Sequence, residues 1–166
     1  LLSLLALVIL ASAYPLTVLE VARGRTGEVL YQYPVRVGEE FKLIFIHSVT
    51  LRPVEETYRV TPDRKLAIVE MVFDDNGPNL PAYPEGATRW IIEENRWRVV
   101  DYDILLQEIP LLVAKYVANH TLVINGHKVS LVKVAGPGQD VKIRATRISL
   151  IEYVWRGCST WLNRNR

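Results

Sequence analysis

The sequence has a single cysteine in 166 residues, which excludes an intrachain disulfide and a cysteine-rich zinc site. Neither sign of charge dominates. Twenty basic side chains stand against 18 acidic ones, a net charge of +2, so electrostatics alone supplies no footprint for nucleic acid or an anionic membrane. No HExxH, GxSxG, Walker loop or Gly-rich dinucleotide turn occurs, and the enzyme classes that depend on them lose their signatures. Internal repeats and low-complexity tracts are missing as well. What is present is globular: 49% hydrophobic and 23% charged residues, in a length that suits one domain.

Leu1 to Ala13 (LLSLLALVILASA) carries no charge and no helix breaker. As a helix it would span roughly 20 Å, against ~30 Å for a hydrocarbon core. That length fits the apolar core of a secretory signal, and Ala11-Ser12-Ala13 has the small-x-small form that signal peptidase accepts. No positive n-region or initiator Met precedes it: either the chain starts inside a precursor, or other processing made Leu1 first. We expect an export signal or uncleaved anchor, and hence an extracytoplasmic protein, secreted or held at the outer face of the cytoplasmic membrane. Two readings compete, a buried first element of the domain and an apolar tail that inserts into a neighbouring subunit. Residues 14–166 then form a single β-rich domain.

Strand grammar begins at Leu16. Leu16–Ala22 and Val29–Tyr33 flank a turn at Arg23–Gly27, and Val37–Glu40 turns into Phe41–His47. The last run is apolar on both faces, which predicts a central strand. Val54–Val60 and Leu66–Phe73 alternate more cleanly. Asp74–Gly86 holds three prolines and two glycines in 13 residues and is expected to be a loop, of a length that is often functional. Ala87–Ile92 and Arg96–Val100 form a hairpin, and Asn125-Gly126 specifies a tight one within Thr121–Val132. After Gly136-Pro137-Gly138, Asp140–Thr146 returns. Nine or ten such strands predict an all-β domain, an antiparallel β-sandwich or partly closed barrel. One amphipathic helix follows at about 149–162, where Ile148, Ile151, Val154, Trp155, Cys158, Trp161 and Leu162 recur at helical spacing. Such a stripe ordinarily packs on a sheet. The competing use is a membrane-surface or partner-docking role, which two tryptophans and the terminal Arg164 and Arg166 suit.

The densest polar grouping runs from His47 through Ser48, Glu55 and Glu56 to Tyr58. If the flanking strands pair, His47 is expected near Glu55 or Glu56 at one sheet end, close enough for a hydrogen bond or a shared cation. The two glutamates face opposite sides, and Glu70 joins from Glu56's face if the register of the next strand allows it. A structural bond that ties a loop, a ligand site and catalysis all remain open for this group. His120 and His127, flanking the Asn-Gly hairpin, read as surface residues. Asp74-Asp75-Asn76 lacks the spaced ligands of an EF-hand loop. No cofactor and no metal is expected.

Ile46-His47-Ser48-Val49, then Pro53-Val54-Glu55-Glu56 with Tyr58, Glu70, Phe73, Gly77, Leu80-Pro81 and Glu85-Gly86 form an ordered string. With Asn119-His120, Asn125-Gly126 and Ser149-Leu150, it resembles a domain-of-unknown-function family, number 1850. The resemblance implies a small exported or membrane-anchored protein, encoded beside or fused to TRAP transporters of the TAXI class, which move organic anions. Asn76 and Asn79 stand where that family has an aromatic and a second glycine, and Asn tolerates positive φ.

The expected function is a non-catalytic extracytoplasmic accessory or binding domain of a TAXI-type TRAP transport system. It would bind the transporter's membrane or solute-binding component, or a small ligand, through His47, Ser48, Glu55, Glu56, Tyr58, Glu70 and Glu85 and the Asp74–Gly86 loop. The alternative is a structural subunit of an extracellular filament, assembling with itself through the apolar N-terminus. A metal-assisted hydrolase using His47 and the glutamates is the weakest reading.

Overall fold

Alternating aliphatic and polar residues, broken by Gly, Pro and Asn, leave little of the chain helical. The computed structural model describes residues 12–164, so the apolar run at 1–13, with the export reading placed on it, lies outside them except for Ser12 and Ala13. Twelve strands are described: β1 (Pro15–Arg23), β2 (Val29–Pro34), β3 (Glu40–Ile46), β4 (Pro53–Val60), β5 (Leu66–Phe73), β6 (Arg89–Glu93), β7 (Arg96–Val100), β8 (Leu105–Leu106), β9 (Ile109–Leu112), β10 (Thr121–Ile124), β11 (His127–Ser130) and β12 (Asp140–Ser149). A short helix α1 (Leu131–Ala135) precedes β12, and α2 (Leu150–Arg164) follows it. None of these helices is long and apolar enough to cross a membrane.

The strands form two antiparallel sheets, a small one ordered β2-β1-β12-β9 and a large one ordered β11-β10-β3-β4-β5-β7-β6, with β8 beside β5. The fold is an antiparallel β-sandwich. As its two apolar faces require, β3 is an interior strand. Asn125 (φ 49°) and Gly126 (φ 78°) make the tight turn between β10 and β11, since both positions need the left-handed region that these residues tolerate. In place of a strand continuing to Val132, α1 begins at Leu131, whose side chain is fully buried.

Two apolar clusters fill the interior. Between the sheets, Leu19 and Val21 of β1 and Ile143 of β12 meet Leu43 of β3, Val60 of β4 and Leu122 of β10. The far end of the large sheet forms a second cluster, in which Val54, Met71, Phe73 and Val99 are buried with Leu80, Trp90, Trp97 and Tyr102 packed against them. Phe73 meets both indoles edge-on, with ring centroids 5.8 and 5.7 Å away.

The outer face of the small sheet lies under α2, with a sense opposite to the expected one. Ile148 is buried, but Ile151, Val154 and Trp155 face solvent, while Glu152, Tyr153 and Arg156 are half-buried. The cause is Glu20. This carboxylate is 1% exposed, and it accepts hydrogen bonds from Arg144 Nε (2.6 Å), Arg156 Nη1 (3.0 Å) and Thr146 Oγ1 (3.3 Å). A buried carboxylate demands cations, and the helix supplies one from its polar side.

Candidate functional site

Antiparallel pairing brings three connections to one end of the large sheet: the 47–52 turn, the 74–88 loop and the 113–120 segment, whose Ala118 carbonyl accepts from Ile46 N–H at 2.9 Å. His47, 8% exposed, joins the first two. Its backbone N–H donates to Arg52 O (2.8 Å) and its carbonyl accepts from Leu51 N–H (2.9 Å), with Leu51 held at φ 58°. The ring Nδ1 accepts from the backbone N–H of Thr50 (3.2 Å) and of Val49 (3.4 Å). Backbone amides only donate, so the ring proton belongs on Nε2, which donates to Pro78 O at 2.9 Å.

Pro78 lies in a matching turn. Leu80 N–H donates to Gly77 O (3.1 Å), with Asn79 at φ 67°: proline then a left-handed residue is the type II pattern. Asn79 thus takes a left-handed conformation that glycine adopts freely and asparagine tolerates. Gly77 has its own reason, since a Cβ there would come within 2.5 Å of His47 Cε1. Arg52 adds an ion pair to Asp74 at the start of the loop, and Leu80 sinks into the second cluster. The clasp leaves Val49 and Leu51 at the turn's tip, 66% and 62% exposed, beside an exposed Ser48.

The glutamates are elsewhere. Ile46 lies opposite Pro53, so Ile44 faces Glu55 and Leu43 faces Glu56. His47 therefore meets Arg52, with Glu55 three residues farther along β4, roughly 10 Å. The expected His–Glu contact does not form. Glu55 lies on the outer face with Lys42 (3.1 Å). Glu70 faces Thr57; this register places it on Glu55's side rather than Glu56's, paired with Arg98 at 3.4 Å. Glu85 is exposed in a turn that Thr88 closes. Among the sequence candidates, Glu56 and Tyr58 form a hydrogen bond, while Glu55 and Glu70 share the outer face of neighbouring strands.

That pair lies on the inner face, at the seam between the two clusters, where Glu56 is flanked by Leu43 and Met71. Tyr58 O–H donates to Glu56 Oε2 at 2.7 Å, and its ring stacks on Phe41. Burial pushes the Glu56 carboxyl above its ordinary range, with the tyrosine hydrogen bond opposing the shift. Burial raises Tyr58 too, helped by the Glu56 charge. Tyr102, whose buried hydroxyl has no partner among the described residues, is pushed up to about 12 by burial and the same charge. No periodic pattern announces Tyr102; the signal for its loop is Asp101 in the left-handed region (φ 62°).

His120, expected at the surface, is 7% exposed and tilted against Phe45 at 5.4 Å. Its place just before β10 turns the ring inward, and burial lowers its pKa. His127 is exposed as expected. Among the described residues, no three His, Cys, Asp or Glu side chains converge in a way that could hold a metal ion.

A family model described as a domain of unknown function (DUF1850) matches residues 41–131, from the inner residues of β3 to the first residue of α1. The clasp, the seam and the 74–88 loop all fall within that span. No curated protein and no solved structure matches the chain.

Proposed function

Because the chain belongs to the DUF1850 family, we propose that it is a non-catalytic binding domain outside the cytoplasmic membrane, accessory to a TAXI-type TRAP transport system. It meets the transporter's membrane or solute-binding component through the clasped end of the large sheet. The observation that supports this reading is the use made of His47. Both ring nitrogens are spent on backbone groups of two loops, so the imidazole sets shape where a catalytic one would face a reacting group. The shape it sets holds Val49 and Leu51 outward at the turn's tip, and exposed apolar side chains on a rigid turn suit a protein partner.

Co-purification tests this. Tagged full-length protein from native membranes is expected to recover the transporter subunits, and Val49→Asp with Leu51→Asp to lose them. Deletion of the protein is expected to reduce uptake. Recovery of no transporter subunit, with uptake unchanged on deletion, overturns the proposal.

A further inference from the structure

Helix α2 turns its apolar stripe away from its own domain. Leu150, Ile151, Val154 and Trp155 are 37%, 42%, 55% and 75% exposed, at the i, i+1, i+4, i+5 spacing of one helix face. The polar side is committed inward: Arg156 binds buried Glu20 and also Glu152, and Gln32 Nε2 donates to Tyr153 O at 2.8 Å. Rotating the stripe toward the sheet would take Arg156 from Glu20 and leave that carboxylate short of a cation. The orientation is therefore fixed, and the exposed apolar face invites a cover.

What arrives at that corner identifies the cover. Leu150 N–H donates to Tyr14 O at 3.0 Å, so the residue that follows the uncharged run Leu1–Ala13 in the sequence is fastened to the first turn of α2. Tyr14 is 61% exposed. Arg147, also exposed, lines a shallow groove with Tyr14, Pro15 and Glu152. Exposed aliphatic side chains of α2, a tyrosine, a tryptophan and a cation gathered at one corner match the layers of a bilayer surface. Hydrocarbon takes the first, the headgroup level the aromatics, and lipid phosphate the arginine. We infer that the first two turns of α2 lie in the headgroup region of a phospholipid bilayer, with Ile151, Val154 and Trp155 facing the acyl chains. This corner lies outside the family-matched span, and the inference stands apart from the transporter reading.

The test uses the full chain on vesicles of phosphatidylethanolamine and phosphatidylglycerol in equal parts. The fluorescence of Trp155, taken as the difference between the native protein and Trp155→Phe, is expected to shift to the blue and to be quenched by brominated acyl chains. Ile151→Asp with Val154→Asp, both at exposed positions, is expected to abolish that quenching and weaken vesicle binding about tenfold or more. Bound protein whose Trp155 stays unquenched overturns the inference. So does a lipid-free dimer in sedimentation equilibrium that the double variant dissolves, because the cover would then be a second copy.

Discussion

Glu20 and Glu56 are both carboxylates in the body of strands, yet their surroundings differ in kind. Glu20, beneath α2, is met by two guanidinium groups and a hydroxyl. Glu56, on the inner face of the large sheet, has one tyrosine hydroxyl and no paired cation among the described residues. The first is a fastener, and its ion pairs determine which side of a helix looks outward. The second is a soft point in the seam between two apolar clusters, and it keeps its proton more tightly than an exposed carboxyl does. Burial alone does not set the role of a charge; the groups that answer it do.

The sharpest way to break this contrast is Glu20→Ala. It is expected to cost about 3 kcal/mol in urea denaturation, because it removes the partner of two arginines and frees α2. The same change at Glu56 should cost clearly less, and equal losses would erase the distinction. Next comes Gly77→Ala, expected to cost about 2 kcal/mol by driving a methyl group into the His47 ring. Faster amide exchange at Val49 and Thr50 would locate that loss in the clasp, and unchanged exchange there would refute it.

The smallest effects are in pH. For Glu56 the folded pKa lies above the ordinary 4.5, so the native state holds the proton that the unfolded chain releases. Stability should fall as pH rises from 4.5 through the folded pKa, and Glu56→Gln should flatten that limb. His120 acts in the opposite sense. Its folded pKa is below 6.5, so stability should fall as pH drops below 6.5, and His120→Gln should remove that dependence. Thermal melts across both windows would check the two signs, and limbs unaltered in the variants would count against both assignments.

Much of the sandwich is legible in the sequence because its signals are local. Asn125-Gly126 demands its turn, and the doubly apolar β3 demands neighbours on both edges. The losses have specific causes. β8 is two residues long, and β9 contains Pro110, which an edge strand of the small sheet tolerates. The register shift between Thr57 and Tyr58 decides that Glu70 shares a face with Glu55, and a bulge leaves no mark in alternation. The sense of α2 was also hidden, because periodicity reveals that a helix has an apolar side and not where that side points. Glu20, a lone acid in an otherwise aliphatic stretch of β1, was the clue. At the candidate site, the motif residues His47 and Gly77 were visible as a string, but their use as lock and keyhole needed the fold.

The bond from Leu150 to Tyr14 continues a ladder in which β1 and β12 pair antiparallel from Pro15↔Ser149 to Arg23↔Val141. Tension applied between Tyr14 and Leu150 would load that ladder at its first rung only. The rungs would then open in succession at low force, whereas a shear geometry would make them resist together. The domain should be mechanically weak when pulled from these two points, even where its thermal stability is high.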